Sequence, residues 1–357
     1  MTFAFAKCYT TNRKAGITMK TLTLNPLFCS HMVLQANKPI RFFGEGEGEI
    51  TVSLCSKTAK ANCNGGKWIA ELEPMGYGGP YTVDIDLNGQ KLELNDVYIG
   101  DVYIVAGQSN HQFKLCESTT PNGKDINRLR LFSSPRLEAG EPFKPSDGWV
   151  VCSEKNAPSW PALGYMVGEK LEADRDRAVG IITSYQGASV IETWVPEGLF
   201  ESKGIVLADN QKTNSHFCED YSAWNKDGTL YHYVVEKLIP YSVAAVIWYQ
   251  GESDSSVGEA EVYDKELAAL IECWRNAYKD KELPFVVVQL AGLLDPATGD
   301  VYEGWKVMHK SQLNVPNLCS NTEVVKCADI CENDDIHPKT KAPLALRIAN
   351  VLVKNNW

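Results

Sequence analysis

The chain has 357 residues, of which 44% are apolar, and a formal net charge of -10. That length calls for one large domain or two unequal ones. An acidic balance with no dense basic run excludes a nucleic-acid backbone binder, and no run of about 18 or more apolar residues is present to cross a membrane.

The opening segment MTFAFAKCYTTNRKAG has neither the basic lead nor the sustained apolar centre of a secretory signal, and Met19 is an alternative start for the folded part. Eleven cysteines are scattered without tight repetition, and an odd number cannot all pair internally. Free thiols in a reducing, cytoplasmic setting are the expectation.

Up to Asp96 the pattern is entirely β. Short apolar or alternating runs at Leu22 to Leu27, Ile50 to Leu54, Trp68 to Leu72, Tyr81 to Ile85 and Leu92 to Leu94 are separated by turns such as Asn64-Gly65-Gly66 and Asn88-Gly89. Residues 1–96 thus read as a small β-sandwich-like domain. From Val97 the rhythm changes: apolar strands end near Ala106, Phe132, Thr183, Tyr249 and Leu290, with helical patterns between several of them. Residues 97–357 therefore predict an α/β domain with a parallel sheet and crossover helices in three layers. The clearest crossover runs from Glu259 to Tyr278, where Tyr263, Leu267, Leu270, Trp274 and Tyr278 recur at intervals of three and four; a closing helix follows Pro343. Only Asn95 and Asp96 separate the last β run from the first α/β strand, so the β region should be a fixed companion.

The segment DVYIVAGQSN, Asp101 to Asn110, ends an apolar strand in a glycine and then presents Ser109 between two amides. A serine there can cap the next segment or act as a nucleophile; the polar cluster of Gln108, Ser109 and Asn110 favours the second, since leaving such groups buried and unpaired would cost about 1 to 3 kcal/mol each. Far downstream, NDDIHP places Asp334 three residues before His337. Asp334 is the preferred acid to orient the imidazole because it can curl back over one turn; Asp335 is its rival, and a backbone carbonyl is a third way to hold the ring. Gly187 and Gln250 also follow predicted parallel strands, where open α/β sheets bind ligands, and an N–H of the first and the side-chain amide of the second are candidate oxyanion donors. Glu252 either orients the site loops or caps the next segment, and Trp194 and Tyr249 either line a cleft or cover the sheet. Cys319, Cys327 and Cys331 match no common zinc spacing, so neither metal nor organic cofactor is expected.

At these residues the chain resembles the sialate O-acetylesterase family within the SGNH hydrolases. The likeness extends from about Thr21 to Val353 through LFCSHMVLQ, GGPYTV, VYIGDVYIVAGQSN, GIITSYQGASVIETW, VIWYQGESD and DIHPKTKAPLALRIA. It implies hydrolysis of acetyl esters on sialic acid or acetylated polysaccharides through an acetyl-serine at Ser109, with His337 as base and the Ser109 N–H, Gly187 N–H and Gln250 as oxyanion hole. Three departures stand out. His111 replaces the methionine usual after GQSN and puts a second imidazole beside the nucleophile, Ala188 replaces a second glycine, and both Asp334 and Asp335 are present where the family commonly keeps the one equivalent to Asp335. A noncatalytic carbohydrate-binding protein and an acetyltransferase using the same serine are the competing functions.

Overall fold

A computed structural model describes residues 21–137, 148–206 and 219–357; the opening sixteen residues and Met19 lie outside the described residues. The β-rich region contains β1 (Thr23–Leu24), β2 (Val33–Gln35), β3 (Ile40–Leu54), β4 (Lys57–Leu72) and β5 (Gly78–Leu87), and ends in β6 (Gln90–Gly107). β3 pairs antiparallel with β1, β4 and β5, and β5 with β6, while β2 lies parallel to β6. The Asn88-Gly89 turn forms as expected, with both residues at positive φ, the geometry that joins two right-twisted strands. Asn64-Gly65-Gly66 is not a turn. It sits inside β4 at an irregularity in the β3–β4 ladder between Glu45 and Glu47, and the hairpin turns instead at Cys55, whose φ is +53°. These strands join one connected network through β6, rather than standing apart as two closed sheets.

β6 is the spine of the molecule. Its amino-terminal half pairs with β5, and its carboxyl-terminal half pairs in parallel with β9 (Val179–Tyr185) and β10 (Ala245–Tyr249). The boundary expected at residue 96 therefore falls within a single strand. The rest of the sheet comprises β7 (Ile126–Ser133), β8 (Trp149–Cys152), β11 (Phe285–Val288) and β12 (Thr322–Val325), giving the order β8-β7-β9-β6-β10-β11-β12. Every pair in this order is parallel except β7–β8. The fold is thus mixed α/β with a mostly parallel central sheet. From β6 the chain goes to one side through β7, β8 and β9, then crosses to β10, β11 and β12, so the carboxyl end of β6 lies where the winding direction changes.

After β6 comes the one-turn helix α1 (Ser109–Gln112), followed by α2 (Ala162–Arg175), α3 (Tyr263–Ala277), α4 (Glu303–Leu318) and α5 (Ala342–Lys354). Alternation along the strands sends neighbouring side chains to opposite faces. On β10, Trp248 packs edge-on against Trp274 of α3 at 5.9 Å, while Tyr249 turns the other way. In β6 the face shared with Tyr249 carries Tyr103, whose hydroxyl accepts from Arg175 of α2 and donates to the Trp357 carbonyl beyond α5. Helices therefore cover both faces. The α3 stripe of Tyr263, Leu267, Leu270 and Trp274 is buried as its periodicity predicts, and burying each such side chain stabilises by about 1.5–3 kcal/mol.

The β region is tied down by cross-contacts. Lys38 pairs with Asp280 at 2.6 Å, Trp149 donates its indole N–H to the Leu27 carbonyl at 2.8 Å, and Tyr241 donates to the Val33 carbonyl at 2.7 Å.

Candidate active site

Strand β6 must stop abruptly and turn into α1, and Gly107 makes this possible. Its φ is +130°, and a Cβ there would stand 2.1 Å from the Tyr249 carbonyl oxygen, so only glycine lets β6 and β10 close up beneath the turn. Ser109 follows as the first residue of α1, where its N–H has no intrahelical acceptor. Its Oγ lies 2.8 Å from Nε2 of His337, bridging 228 positions of sequence. His337 sits on the loop that leads into α5, so the closing helix carries the imidazole to the end of β6.

Burial holds the His337 pKa below the ordinary histidine value; the charge of Lys341 adds to this, and Asp335 and Glu117 oppose it. The ring is thus neutral at pH 7 and can take a proton from the serine hydroxyl. Of the two candidate acids, the structure brings Asp335 to the histidine: its Oδ1 accepts the His337 backbone N–H at 2.8 Å, and its charge is felt by the imidazole. Asp334 is exposed, and no hydrogen bond or ion pair of its side chain occurs among the described residues. The Asp335 contact is to the backbone and not to the ring; among the described residues no hydrogen bond joins either carboxylate to the imidazole. Within the turn the chain curls by two residues rather than three.

The cleft beside this pair has a volume of about 540 Å³ and is lined by Ser109, Gln112, Arg136, Gly187, Trp224 and His337 among others. Gly187 lies where it was expected, within reach of Ser109, and its N–H donates to Oε1 of Gln112 at 3.0 Å. Ala188 adopts φ +53°, a left-handed conformation ordinarily left to glycine.

Four candidates for the site turn away from the cleft, Trp194 and Tyr249 taking the sheet-covering alternative. Gln250 is fully buried; its Nε2 donates to the Ser189 carbonyl at 2.9 Å and to Asp254, and its Oε1 accepts from Tyr263 at 2.7 Å. Both amide protons are consumed inside the protein, so the expected oxyanion donor is a strut. Trp194 is also fully buried, edge-on to Trp248 at 6.0 Å, and belongs to the core. Tyr249 is likewise enclosed. His111 points beneath the nucleophile against Tyr249, and burial pushes its pKa down to about 3, so it adds no second imidazole to the cleft.

Asn110 and Glu252 form a support behind the serine. Asn110 Nδ2 donates to Glu252 Oε1 at 2.5 Å and to the Ile336 carbonyl at 2.9 Å, fastening the nucleophile turn to the residue before His337. Burial raises the Glu252 pKa to about 7. Two contributors were not read from the sequence. Gln112 stands one turn after Ser109, a spacing that could have flagged it. Lys341 lies in the polar stretch PKTK, where nothing in the sequence marks it, yet it is fully buried.

Among the described residues no three histidine, cysteine or carboxylate side chains are placed to hold a metal ion, and nine cysteines are free thiols.

A mostly parallel α/β sheet that opens a cleft at its carboxyl edge is an enzyme-like scaffold of the α/β class, with its ligand site at the change of winding direction. Residues 99–354 match the family described as carbohydrate esterase, sialic acid-specific acetylesterase, and the chain belongs to that family. Carbohydrate O-acetyl ester hydrolysis is its class of activity. The chain is 25% identical to the sialate O-acetylesterase of Homo sapiens, over 89% of this chain and 68% of that protein, and 24% identical to that of Rattus norvegicus, over 89% and 70%. A carbohydrate acetylesterase from Xanthomonas citri superposes with a TM-score of 0.79 at 29% identity, covering 94% of this chain and 76% of that one.

Proposed function

We propose that this protein removes acetyl groups from O-acetylated sugars, sialic acid or acetylated polysaccharide, through an acetyl-Ser109 intermediate. The observation that carries the serine mechanism is the 2.8 Å contact between Ser109 Oγ and Nε2 of a neutral His337 at the floor of an open cleft. Ser109 Oγ attacks the acetyl carbonyl carbon while its proton passes to His337 Nε2. The Ser109 and Gly187 N–H groups receive the developing oxyanion, the latter after Gln112 yields its place. His337 returns the proton to the sugar oxygen as the ester bond breaks. Water, deprotonated by His337, then attacks the acetyl-serine and releases acetate. Asp335 orients the histidine, and Asn110 and Glu252 brace the turn.

The same reading takes residues 1–96 as a β-sandwich-like companion of an SGNH-like catalytic unit at 97–357, the two sharing β6 across that boundary; the cross-contacts at Lys38, Trp149 and Tyr241 support the fixed attachment. The free described thiols support a cytoplasmic setting.

Acetate release from acetylated xylan, acetylated mannan and O-acetylated sialic acid tests the proposal. Ser109→Ala should fold normally and release none, because the attacking atom is removed with little change in volume. A folded Ser109→Ala protein with wild-type turnover would sink the serine mechanism.

A further inference from the structure

Lys341 is a lysine with no exposed surface, at the amino-terminal end of α5. Such a charge is costly to bury unless something uses it. Its Nζ donates to Asn110 Oδ1 at 2.6 Å and stands over the rings of Phe113 and Tyr249 at 5.0 and 5.6 Å. The charged and titratable groups facing it include Glu252 behind the serine turn, Cys327, Cys331 and Glu332 on the segment after β12, and the rings of His111 and His337. Asn110 is thereby held from both ends: its carbonyl by Lys341, its amide protons by Glu252 and the Ile336 carbonyl. One side chain thus connects the residue after Ser109, the residue before His337 and the start of α5.

We propose that Lys341 is a positioning residue for the esterase reaction: through Asn110, its buried ammonium locks the Ser109 turn against the His337 loop and fixes the distance between the two reacting side chains. The inference rests on the serine–histidine reading above. A second consequence follows from charge. The groups acting on the His337 ring are Lys341, Asp335 and Glu117, and Lys341 is the one among them that disfavours the imidazolium. The same ammonium that sets the geometry therefore helps keep the base unprotonated.

The test uses Lys341→Met, which preserves length and apolar volume, and Lys341→Gln, which returns a hydrogen-bond donor without charge. In Lys341→Met, kcat should fall about 10- to 100-fold with little change in KM, since misplacement of reacting groups costs on this scale. Its thermal stability should change only modestly, because the relief of removing a buried charge is set against the Asn110 Oδ1 left without a donor. The acidic limb of the kcat/KM profile should move to higher pH, because one influence that lowers the His337 pKa is gone. Lys341→Gln should recover part of kcat and keep the displaced limb. If both variants fold and show wild-type kcat and an unmoved limb while Ser109→Ala is inactive, the positioning role is overturned and the serine reading stands. Activity in Ser109→Ala would instead overturn the reading beneath it. Failure of both lysine variants to fold would assign Lys341 to the structure alone and likewise overturn the proposal.

Discussion

The sharpest check on the site concerns Gln250, where residue type and side-chain direction give opposite answers. Replacing it by Met keeps the volume but removes the donor to the Ser189 carbonyl, the donor to Asp254 and the acceptor for Tyr263. Tyr263 retains a hydrogen bond to the Gln250 backbone carbonyl at 3.0 Å and accepts from Trp248 at 3.1 Å, so its loss is partial. Two buried acceptors remain unmet, at about 1–3 kcal/mol each, which sums to about 2–6 kcal/mol. At about 1.3 °C per kcal/mol for a chain of this size, the melting temperature should drop by roughly 3–8 °C. Turnover of the folded variant should fall less than about tenfold, through loosening of the Ser189 segment beside Gly187. An oxyanion donor behaves in the opposite way, costing about 100-fold or more in kcat without a matching loss of stability. Calorimetry alongside initial rates on an acetylated sugar separates the two. An unchanged melting temperature with a 100-fold loss of kcat would refute the inward-facing amide.

Asp335→Asn should lower kcat severely, by up to about 10⁴-fold as in other serine hydrolases that lose the orienting carboxylate, and its acidic limb should shift to lower pH because Asp335 raises the His337 pKa. Asp334→Asn should stay near wild type; pH profiles of both variants decide, and a severe loss confined to Asp334→Asn would restore the other assignment. Gln112→Ala frees the Gly187 N–H from an internal acceptor, and since one such hydrogen bond is worth about 1 kcal/mol net, kcat/KM should rise about fivefold. A fall in kcat/KM would mean that the Gln112 amide holds the substrate.

Much of this was readable from the chain because it depended on residue type and period. The apolar run of β6 ends where predicted, the α3 stripe faces the core, and Ser109 and His337 meet although 228 positions apart, since both follow elements whose ends a parallel sheet gathers at one edge. What escaped depended on the direction of single side chains. Gln250 and Trp194 carry groups suited to a cleft, yet each has internal partners that composition does not reveal. Asp334 and Asp335 differ by one position, and which of them serves the imidazole depends on the local curl of the loop, which residue type does not reveal. The bounds of α2 and α4 are harder to read than those of α3, because the first turns of α2 are buried nearly all round, leaving little amphipathic contrast, and Pro316 near the end of α4 reads as a break. Asn64-Gly65-Gly66 is as suited to a bulge as to a turn, and only pairing across the ladder distinguishes them.

The position of β6 also bears on how the chain is made. β2, β3 and β5 all precede or adjoin it, so its amino-terminal half can find partners as soon as it leaves the ribosome. The carboxyl-terminal half waits for β9, which begins at Val179, and for β10, which begins at Ala245. At about 5–20 residues per second, both edges of the VYIVAG stretch stay open for several seconds. Such an apolar strand with two free edges invites pairing with another nascent chain. The early β region can thus hold β6 in register during synthesis until its permanent neighbours arrive, and substitutions that weaken that region should show first as lower yield of folded protein rather than as a slower enzyme.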